Sequence, residues 1–310
     1  MRMRLNANLT ENVCKLLNKN GTLVLLFHGV VNKKKKTSVR NYTSKHIGKD
    51  SFYNILQKCK SLGNCISIDE LYYFIKERKK IPPYSFVITF DDGFQNNLSI
   101  AAPIIADLGL HFTIYLTSNF IDKNKLSWTD QLEYGLEHTK NKAIFFNKQE
   151  INIESSLRKK IFAHNIRILV KKSKEIDPYE LIKKINKSLN IYNFDLLDSQ
   201  LDKKINWEDI QKFSEEKFIT FGGHSHTHNN LDFLSKNKLQ EEIKTNLDML
   251  KDKANLDCKH YAYPEGGKNS FSERVIKVLK SYKVLTATTT INGINKNTTN
   301  PFKIKRYMIS

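Results

Sequence analysis

The chain has 310 residues, 40% of them hydrophobic, and carries a formal net charge of +19. This length and composition suit one large α/β domain or two small ones and exclude a disordered chain. No apolar stretch reaches the roughly 20 residues that a membrane-spanning helix needs. The first 20 residues contain no apolar signal-peptide core, so we expect a cytoplasmic protein.

The positive charge is spread along the predicted helices, and its one tight run is Lys33 to Lys36. No nucleic-acid-binding motif accompanies these lysines, so we expect no nucleic-acid partner. A negatively charged substrate and peripheral contact with a membrane surface stay open. The four cysteines form no CxxC pair and are predicted to be reduced residues that mostly serve packing.

Strands and helices alternate through the first part of the chain. Residues 1–20 are predicted to form a helical segment, and one domain is predicted from 21 to 310. Its first predicted strands are 22–27, 65–68, 86–90 and 111–116, and its first predicted helices are 51–62, 70–79 and 98–108. This order is typical of a parallel sheet or barrel.

The region from about 127 to 206 breaks this alternation. It is rich in lysine and mainly helical, with one short strand-like run at 143–146, and we interpret it as a helical insertion. The alternation returns afterwards, with predicted helices at 207–217, 236–254 and 271–282 and predicted strands at 218–221, 261–263 and 284–289.

Two adjacent carboxylates, Asp91 and Asp92, follow the apolar run 86–90 and precede Gly93. Two like charges at the end of a buried strand cost free energy unless something compensates them. A metal ion is the usual compensator. In a related arrangement, one acid binds the metal while the other handles a proton.

Three histidines stand within five residues directly after the predicted strand 218–221 and a Gly-Gly pair. His224 and His228 are four residues apart, and on one helical turn this spacing puts both imidazoles on the same face. Imidazole nitrogens with a carboxylate oxygen suit zinc and other divalent transition metals, and three protein ligands would leave a position open for water. A surface tract rich in histidine is the competing interpretation.

Two further polar segments follow predicted strands. The turn Tyr263-Pro264-Glu265 with its glycine pair could present backbone N–H groups that stabilise an oxyanion, and His28 follows the predicted strand 22–27. The carboxyl ends of the strands of an α/β barrel converge on one face. The sequence therefore predicts that all four polar segments meet in a single site.

The first two segments resemble the motifs of the polysaccharide deacetylase family, also called the NodB-homology domain. Its motif Thr-Phe-Asp-Asp-Gly is found at 89–93, and its motif His-Ser/Thr-x-x-His is found at 224–228. The resemblance implies an α/β fold, a distorted (β/α)7-type barrel with the helical insertion at about 127–206. It also implies removal of N-acetyl, occasionally O-acetyl, groups from sugars.

The resemblance also implies residue roles. Asp91 is the expected general base, while Asp92, His224 and His228 are the expected ligands of a divalent metal, with zinc as the first choice. Such a metal lowers the pKa of a bound water molecule and polarises an amide carbonyl, and a neighbouring carboxylate accepts the proton.

The chain departs from the family pattern at the third motif and at the C-terminus. Ala262 stands where that motif usually has an arginine, so the partner that would orient Asp91 is missing or supplied elsewhere. The C-terminal Leu-x-His motif of the general acid is absent. Leu26-Phe27-His28 has its form and resembles the circularly permuted poly-N-acetylglucosamine deacetylases, in which this motif comes first. We therefore predict His28 as the general acid.

Further residues are predicted near the site. Tyr263, Pro264 and Glu265 line it through the third motif, where Glu265 replaces an aromatic residue and its N–H could still serve the oxyanion. Trp128 either stacks on a sugar face or is a core residue at a helix start. Arg306 either enters the site or forms a surface pair.

The leading hypothesis is a metal-dependent hydrolase that removes an N-acetyl or N-formyl group from an amino sugar in surface-glycan biosynthesis. The substrate is expected to be linked to a nucleotide or a lipid. An alternative is a catalytically impaired carbohydrate-binding or partner module of the same fold. A phosphoesterase or nuclease ranks below both, because no further cluster of Asp and His follows a predicted strand.

Overall fold

The computed structural model describes residues 9–32, 37–121, 125–194 and 200–310. The chain divides into two compact units. The first takes its residues from Met1–Lys34, Ser44–Lys123 and Lys203–Ser310, and the second from Lys35–Thr43 and Asn124–Asp202. Among the described residues, no helix combines the length and the hydropathy that crossing a membrane requires.

The first unit contains a curled parallel sheet. Its strands, in chain order, are β1 (Leu23–Phe27), β4 (Asn64–Cys65), β5 (Ser85–Phe90), β6 (Phe112–Leu116), β9 (Ile219–Gly223), β10 (His260–Ala262), β11 (Thr286–Thr288) and β12 (Tyr307–Met308), while β2 (Gly29–Val31) pairs with β3 (His46–Gly48) beside it. The spatial order is β11-β10-β9-β6-β5-β1-β12, with β4 also on β5. All of the pairings are parallel, which confirms the predicted α/β barrel-like sheet.

The C-terminal segment contacts both edges of this sheet. Its strand β12 pairs with β1, while Ile304, three residues before β12, forms a parallel bridge with Thr288 at the end of β11. This segment therefore connects the two edges of the curled sheet, and its residue Arg306, which lies between the two pairings, is fully buried.

Helices precede and connect the strands of the first unit. They are α1 (Leu9–Cys14), α2 (Lys49–Leu62), α3 (Ile68–Lys76), α4 (Ala102–Asp107), α8 (Trp207–Phe213), α9 (Lys236–Ala254) and α10 (Glu273–Ser281). A π-helical turn at Asn97–Ala101 opens the predicted helix 98–108 before α4. The strands are apolar on both faces because helices and the sheet interior cover them, as in β5, whose six residues are all buried. Of the predicted segment 1–20, residues 1–8 lie outside the described residues.

The second unit consists of α5 (Trp128–His138), the antiparallel hairpin β7 (Ala143–Phe146) and β8 (Gln149–Asn152), α6 (Ser156–Lys172) and α7 (Pro178–Ser188). The sequence pattern predicts β7 but not β8, because the residues of β8 are mostly exposed and carry little hydrophobic signal. The unit has its own apolar core, which includes Trp128, Leu132 and Ile182. Whether residues 127–206 act as an insertion into the barrel domain stays a prediction.

Candidate metal and catalytic site

Polar side chains follow the carboxyl ends of β5 and β9. Asp91 and Asp92 come directly after β5, and His224 follows β9. These strands lie on either side of β6, so their ends are close in space. The Oδ1 of Asp92 lies 3.5 Å from Nε2 of His224 and 3.2 Å from Nε2 of His228.

Asp92, His224 and His228 form a group that could hold a metal ion, because one ligand atom from each lies within 4.8 Å of the others. The buried Oδ1 of Asp92 makes no hydrogen bond of good geometry. Nδ1 of His224 faces the carbonyl oxygen of Ala262 at 2.8 Å and must donate to it, so Nε2 of the neutral ring carries a lone pair toward Asp92. This donor set fits a divalent transition metal.

The two histidines are not on a helical turn, contrary to our prediction. Residues 224–228 form a loop, in which Ser225 and His228 have left-handed backbone conformations with φ of +66° and +61°. The hydroxyl of Ser225 accepts a hydrogen bond from the N–H of His228, and the ring of His228 stacks on Phe120. A folded loop therefore achieves the convergence that a helical spacing was expected to give.

Left-handed backbone recurs at this site. Asp92 has φ of +75° and Glu265 has φ of +62°, in addition to Ser225 and His228. Such conformations cost free energy in residues other than glycine and persist only where the surrounding structure enforces them. Their concentration around Asp92 is the pattern expected of a functional site.

Two glycines let β9 approach its neighbours. A Cβ on Gly222 would lie 2.6 Å from the carbonyl oxygen of His260 and 2.7 Å from the ring of Tyr115. A Cβ on Gly223 would lie 2.5 Å from Oδ1 of Asn246. The Gly-Gly pair therefore allows the strand that carries His224 to pack closely against β6 and β10.

Asp91 forms a buried, bidentate ion pair with Arg306. The two guanidinium Nη atoms donate to the two carboxylate oxygens at 2.7 Å each, and Nε donates to the carbonyl oxygen of Thr289 at 2.9 Å. Burial alone would raise the pKa of Asp91, but the charge and hydrogen bonds of Arg306 outweigh burial and hold that pKa below its ordinary value. Arg306 thus enters the site. It is a partner for Asp91 and replaces the arginine that the family motif usually has at the position of Ala262.

Lys45 is a site residue that the sequence analysis missed. Its ammonium donates to Oδ2 of Asp92 at 2.8 Å and lies 4.7 Å from the centre of the Phe94 ring. Burial would raise the pKa of Asp92, but Lys45 and His228 outweigh this effect and hold the pKa well below its ordinary value. Conversely, burial would lower the pKa of His228, but Asp92 raises it overall.

His28 follows β1 and lies close enough to Asp91 and Asp92 for their charges to affect its pKa. Its carbonyl oxygen accepts a hydrogen bond from the side-chain amide of Asn97 at 2.7 Å, which ties it to the segment after β5. Burial lowers the pKa of the His28 ring to about 4, although the charge of Asp92 acts in the opposite direction. The ring is therefore neutral at pH 7.

The remaining predicted residues have different surroundings. Tyr263 is fully buried, stacks on Phe271 and donates from its hydroxyl to the carbonyl oxygen of Phe302, so its side chain belongs to the core and does not line the site. Trp128 is 2% exposed in the core of the second unit, so its ring is not open to stack on a sugar. The charge of Glu265 contributes to the raised pKa of His228.

The low pKa of His28 makes stability depend on pH. In the presence of a chelator, the free energy of unfolding of the wild type minus that of His28→Gln is expected to fall by on the order of 2 kcal/mol between pH 6.5 and pH 4. In this window the unfolded chain binds a proton at His28 and the folded chain does not. Urea titrations at several pH values check this.

The other groups of the site with shifted pKa values do not mimic this difference. The lowered pKa values of Asp91 and Asp92 act below their ordinary value of 3.8, and the raised pKa of His228 acts above 6.5. Parallel stability profiles for the wild type and His28→Gln would contradict the expectation.

The comparisons with solved structures bear on the fold. The Streptococcus pyogenes deacetylase PplD in complex with acetate matches with a TM-score of 0.61 at 14% identity, over 93% of this chain and 92% of that chain. IcaB from Ammonifex degensii matches with a TM-score of 0.60 at 13% identity, over 94% of this chain and 93% of that chain. The BpsB deacetylase domain from Bordetella bronchiseptica matches with a TM-score of 0.54 at 13% identity, over 94% of this chain and 97% of that chain.

The comparison with family models identifies the family as well as the fold. No curated protein gives a significant match to this chain. The model of the family described as polysaccharide deacetylase matches residues 78–287, which is more than half of the chain and contains both Asp91-Asp92 and His224 to His228. The chain therefore belongs to the polysaccharide deacetylase family.

Proposed function

We propose that this chain is a metal-dependent hydrolase that removes an N-acetyl or N-formyl group from an amino sugar. The observation that carries the proposal is the convergence of Asp92, His224 and His228 beside the ion pair of Asp91 and Arg306. Family membership supports deacetylation of a carbohydrate. The site adds a group that could hold a metal next to a buried, ionised carboxylate, which is the equipment that metal-assisted hydrolysis requires.

Asp92, His224 and His228 would hold the ion, with zinc as the first choice because two imidazoles and a carboxylate are a common zinc ligand set. When bound, such an ion lowers the pKa of water and polarises a carbonyl group. Lys45 holds Oδ2 of Asp92, so Oδ1 is the oxygen that faces the two histidines. Because a proton on His228 competes with a cation, binding of the ion would be weaker at low pH.

We assign Asp91 as the general base. Its pKa below the ordinary value keeps it ionised at pH 7, and Arg306 fixes both of its oxygens. In hydrolysis it would take the proton of the attacking water as the carbon–oxygen bond forms. His28 would then protonate the nitrogen as the carbon–nitrogen bond breaks, giving acetate and a free amine.

The low pKa of His28 sets a condition on this role. Because the ring is neutral at pH 7, it would have to receive a proton before it donates one to the leaving nitrogen, and the proton that Asp91 takes from water balances this step. For the oxyanion we propose the backbone N–H of Glu265. This N–H belongs to the turn that follows β10.

A carbohydrate-binding module without turnover is the second candidate. It was suggested by the loss of the third-motif arginine at Ala262, but the pair of Arg306 with Asp91 removes this reason. We therefore favour the enzyme. We also propose that the substrate is an N-acetylated sugar linked to a nucleotide or a lipid in surface-glycan biosynthesis, and cytoplasmic location stays a prediction.

The decisive experiment measures acetate or formate release from a panel of N-acylated nucleotide sugars and lipid-linked sugars. We expect release from at least one substrate, at least about a tenfold decrease after chelator treatment, and recovery on addition of Zn²⁺. Metal content, measured by mass spectrometry, should be close to one ion per chain and should fall in His228→Ala. Sugar binding and one bound ion without release from any substrate would favour the binding module instead.

A further inference from the structure

Helix α6 of the second unit has two apolar faces. One of them, which includes Phe162, Ile166 and Val170, is buried in the core of the unit. The other side of the helix exposes three large aliphatic side chains, Leu157 at 67%, Ile161 at 51% and Ile168 at 39%. A helix that buries only one face against its own domain does not need the second one for folding.

The three exposed aliphatic residues form a narrow stripe. With 3.6 residues per turn, Leu157, Ile161 and Ile168 fall within an arc of about 40°. We call these three residues the aliphatic stripe. Among the described residues, nine large hydrophobic side chains are exposed, and this single stripe contains three of them. Their clustering distinguishes the stripe from the scattered exposed hydrophobic residues that most proteins carry.

Basic residues flank the stripe on both sides. The 17 residues of α6 contain six Lys or Arg residues and no Asp or Glu. At 100° per residue, Lys172 and Arg158 follow the stripe on one side, and Lys160 and Lys171 lie on the other. Arg158 and Lys172 are exposed. The outward face of α6 is therefore apolar in the middle and positively charged at its margins.

This arrangement selects among partners. A second copy of the chain placed on the same face would bring two basic helices together, which charge repulsion opposes. Nucleic acid would match the charge, but aliphatic side chains offer it neither hydrogen bonds nor stacking surfaces. A bilayer with anionic lipids matches both features, because Leu and Ile enter the boundary of the acyl chains while Lys and Arg contact the headgroups.

A groove adds apolar surface beside the stripe. It has a volume of about 400 Å³ and is lined by Phe146 and Ile151 of the hairpin and by Ile161 and Leu169 of α6, with Arg158 also contributing. We propose that the outward face of α6 is a docking surface for a membrane that contains anionic phospholipids. This inference rests on the surface of the second unit and stands apart from the chemistry of the first.

Vesicle sedimentation tests the proposal with two variants of α6. One replaces the stripe, Leu157→Ser with Ile161→Ser and Ile168→Ser, and the other reverses the flanking charge, Arg158→Glu with Lys172→Glu. The matched control, Lys183→Glu with Lys187→Glu, makes the same change in charge at two exposed positions of α7. Circular dichroism verifies that each variant is folded.

We expect the wild type to sediment with vesicles of phosphatidylcholine and phosphatidylglycerol but not with phosphatidylcholine alone. The partition coefficient at low salt should fall at least about tenfold in both α6 variants and by less than about threefold in the control. In Ile161→Trp the introduced tryptophan is expected to contact the membrane. Brominated phosphatidylglycerol should therefore quench the tryptophan fluorescence of this variant more than that of the wild type.

Several results would overturn the proposal. They are no sedimentation of the wild type with anionic vesicles, equal losses in the control and the α6 variants, and unchanged binding of the stripe variant. Concentration-dependent self-association that the stripe variant abolishes would assign the face to a second copy of the chain. Acetate release from a soluble substrate is not part of this test, so its outcome is independent of the proposed deacetylation.

Discussion

Asp91→Asn is expected to reduce the turnover of acetate release by about 10³-fold, within the range that loss of a general base produces. The asparagine keeps the size of the side chain and one oxygen that can accept from Arg306, but it cannot take a proton from water. The metal group of Asp92, His224 and His228 is untouched, so metal content should remain near that of the wild type. Steady-state kinetics and metal analysis on the same preparation check both expectations.

A matched control separates catalysis from stability. The second unit contains another buried pair of this kind, in which the guanidinium of Arg40 donates to Asp202. Asp202→Asn removes the same charge from a comparable pair and should lower stability without changing turnover on the purified, folded protein. Turnover of Asp91→Asn within tenfold of the wild type, or an equal loss in Asp202→Asn, would remove Asp91 from the role of base.

The parts of the site that lie on regular strands could be predicted from the sequence. The apolar run before Asp91 marks β5, and the alternation of strands and helices implies parallel strands whose ends converge. Asp92 and His224 were expected to meet for this reason, and the structure places them 3.5 Å apart. The loop conformation of His224 to His228 was mispredicted because a spacing of four residues is compatible with a helical turn and with a folded loop.

The charges around the site could not be predicted in the same way. Arg306 lies 215 residues from Asp91 in the sequence, and Lys45 lies in a polar segment before β3. No periodic pattern connects such residues, because their contact depends on how the C-terminal segment closes against β1 and β11. The form of that segment, an arginine between the apolar residues Ile304 and Met308, could have suggested a buried strand.

Two aromatic residues that were candidates for lining the site lie in apolar cores, and for Trp128 this is one of its two predicted roles. Tyr263 and Trp128 stand close to polar motifs in the sequence, which suggested a role in lining the site. In the structure each ring packs into an apolar core, Tyr263 in the first unit and Trp128 in the second. Large aromatic side chains contribute strongly to core packing, so proximity in sequence to a motif is weak evidence that they contact a substrate.

Arg306→Met is expected to shift the acidic limb of the pH profile of kcat/KM to higher pH. Without the guanidinium, the main opposition to burial is lost, so the pKa of Asp91 should rise and a larger fraction of the base should be protonated at a given pH. Turnover at pH 7 should fall by about 10- to 100-fold and recover partly at higher pH, because the base is still present and only the fraction of it that is ionised has decreased. Stability should fall by about 3–5 kcal/mol, because a buried carboxylate loses its partner.

The pH profile is the measurement that separates positioning of the base from general destabilisation. Arg40→Met breaks the comparable pair with Asp202 in the second unit and should lower stability while leaving the acidic limb in place. Arg306→Lys keeps the charge but loses the bidentate geometry, so its acidic limb should lie between those of the wild type and Arg306→Met. An acidic limb that stays fixed in Arg306→Met, or moves equally in Arg40→Met, would mean that Arg306 only stabilises the fold. A shift of the acidic limb in the Arg306 variants but not in Arg40→Met would mean that Arg306 of the C-terminal segment lowers the pKa of the base.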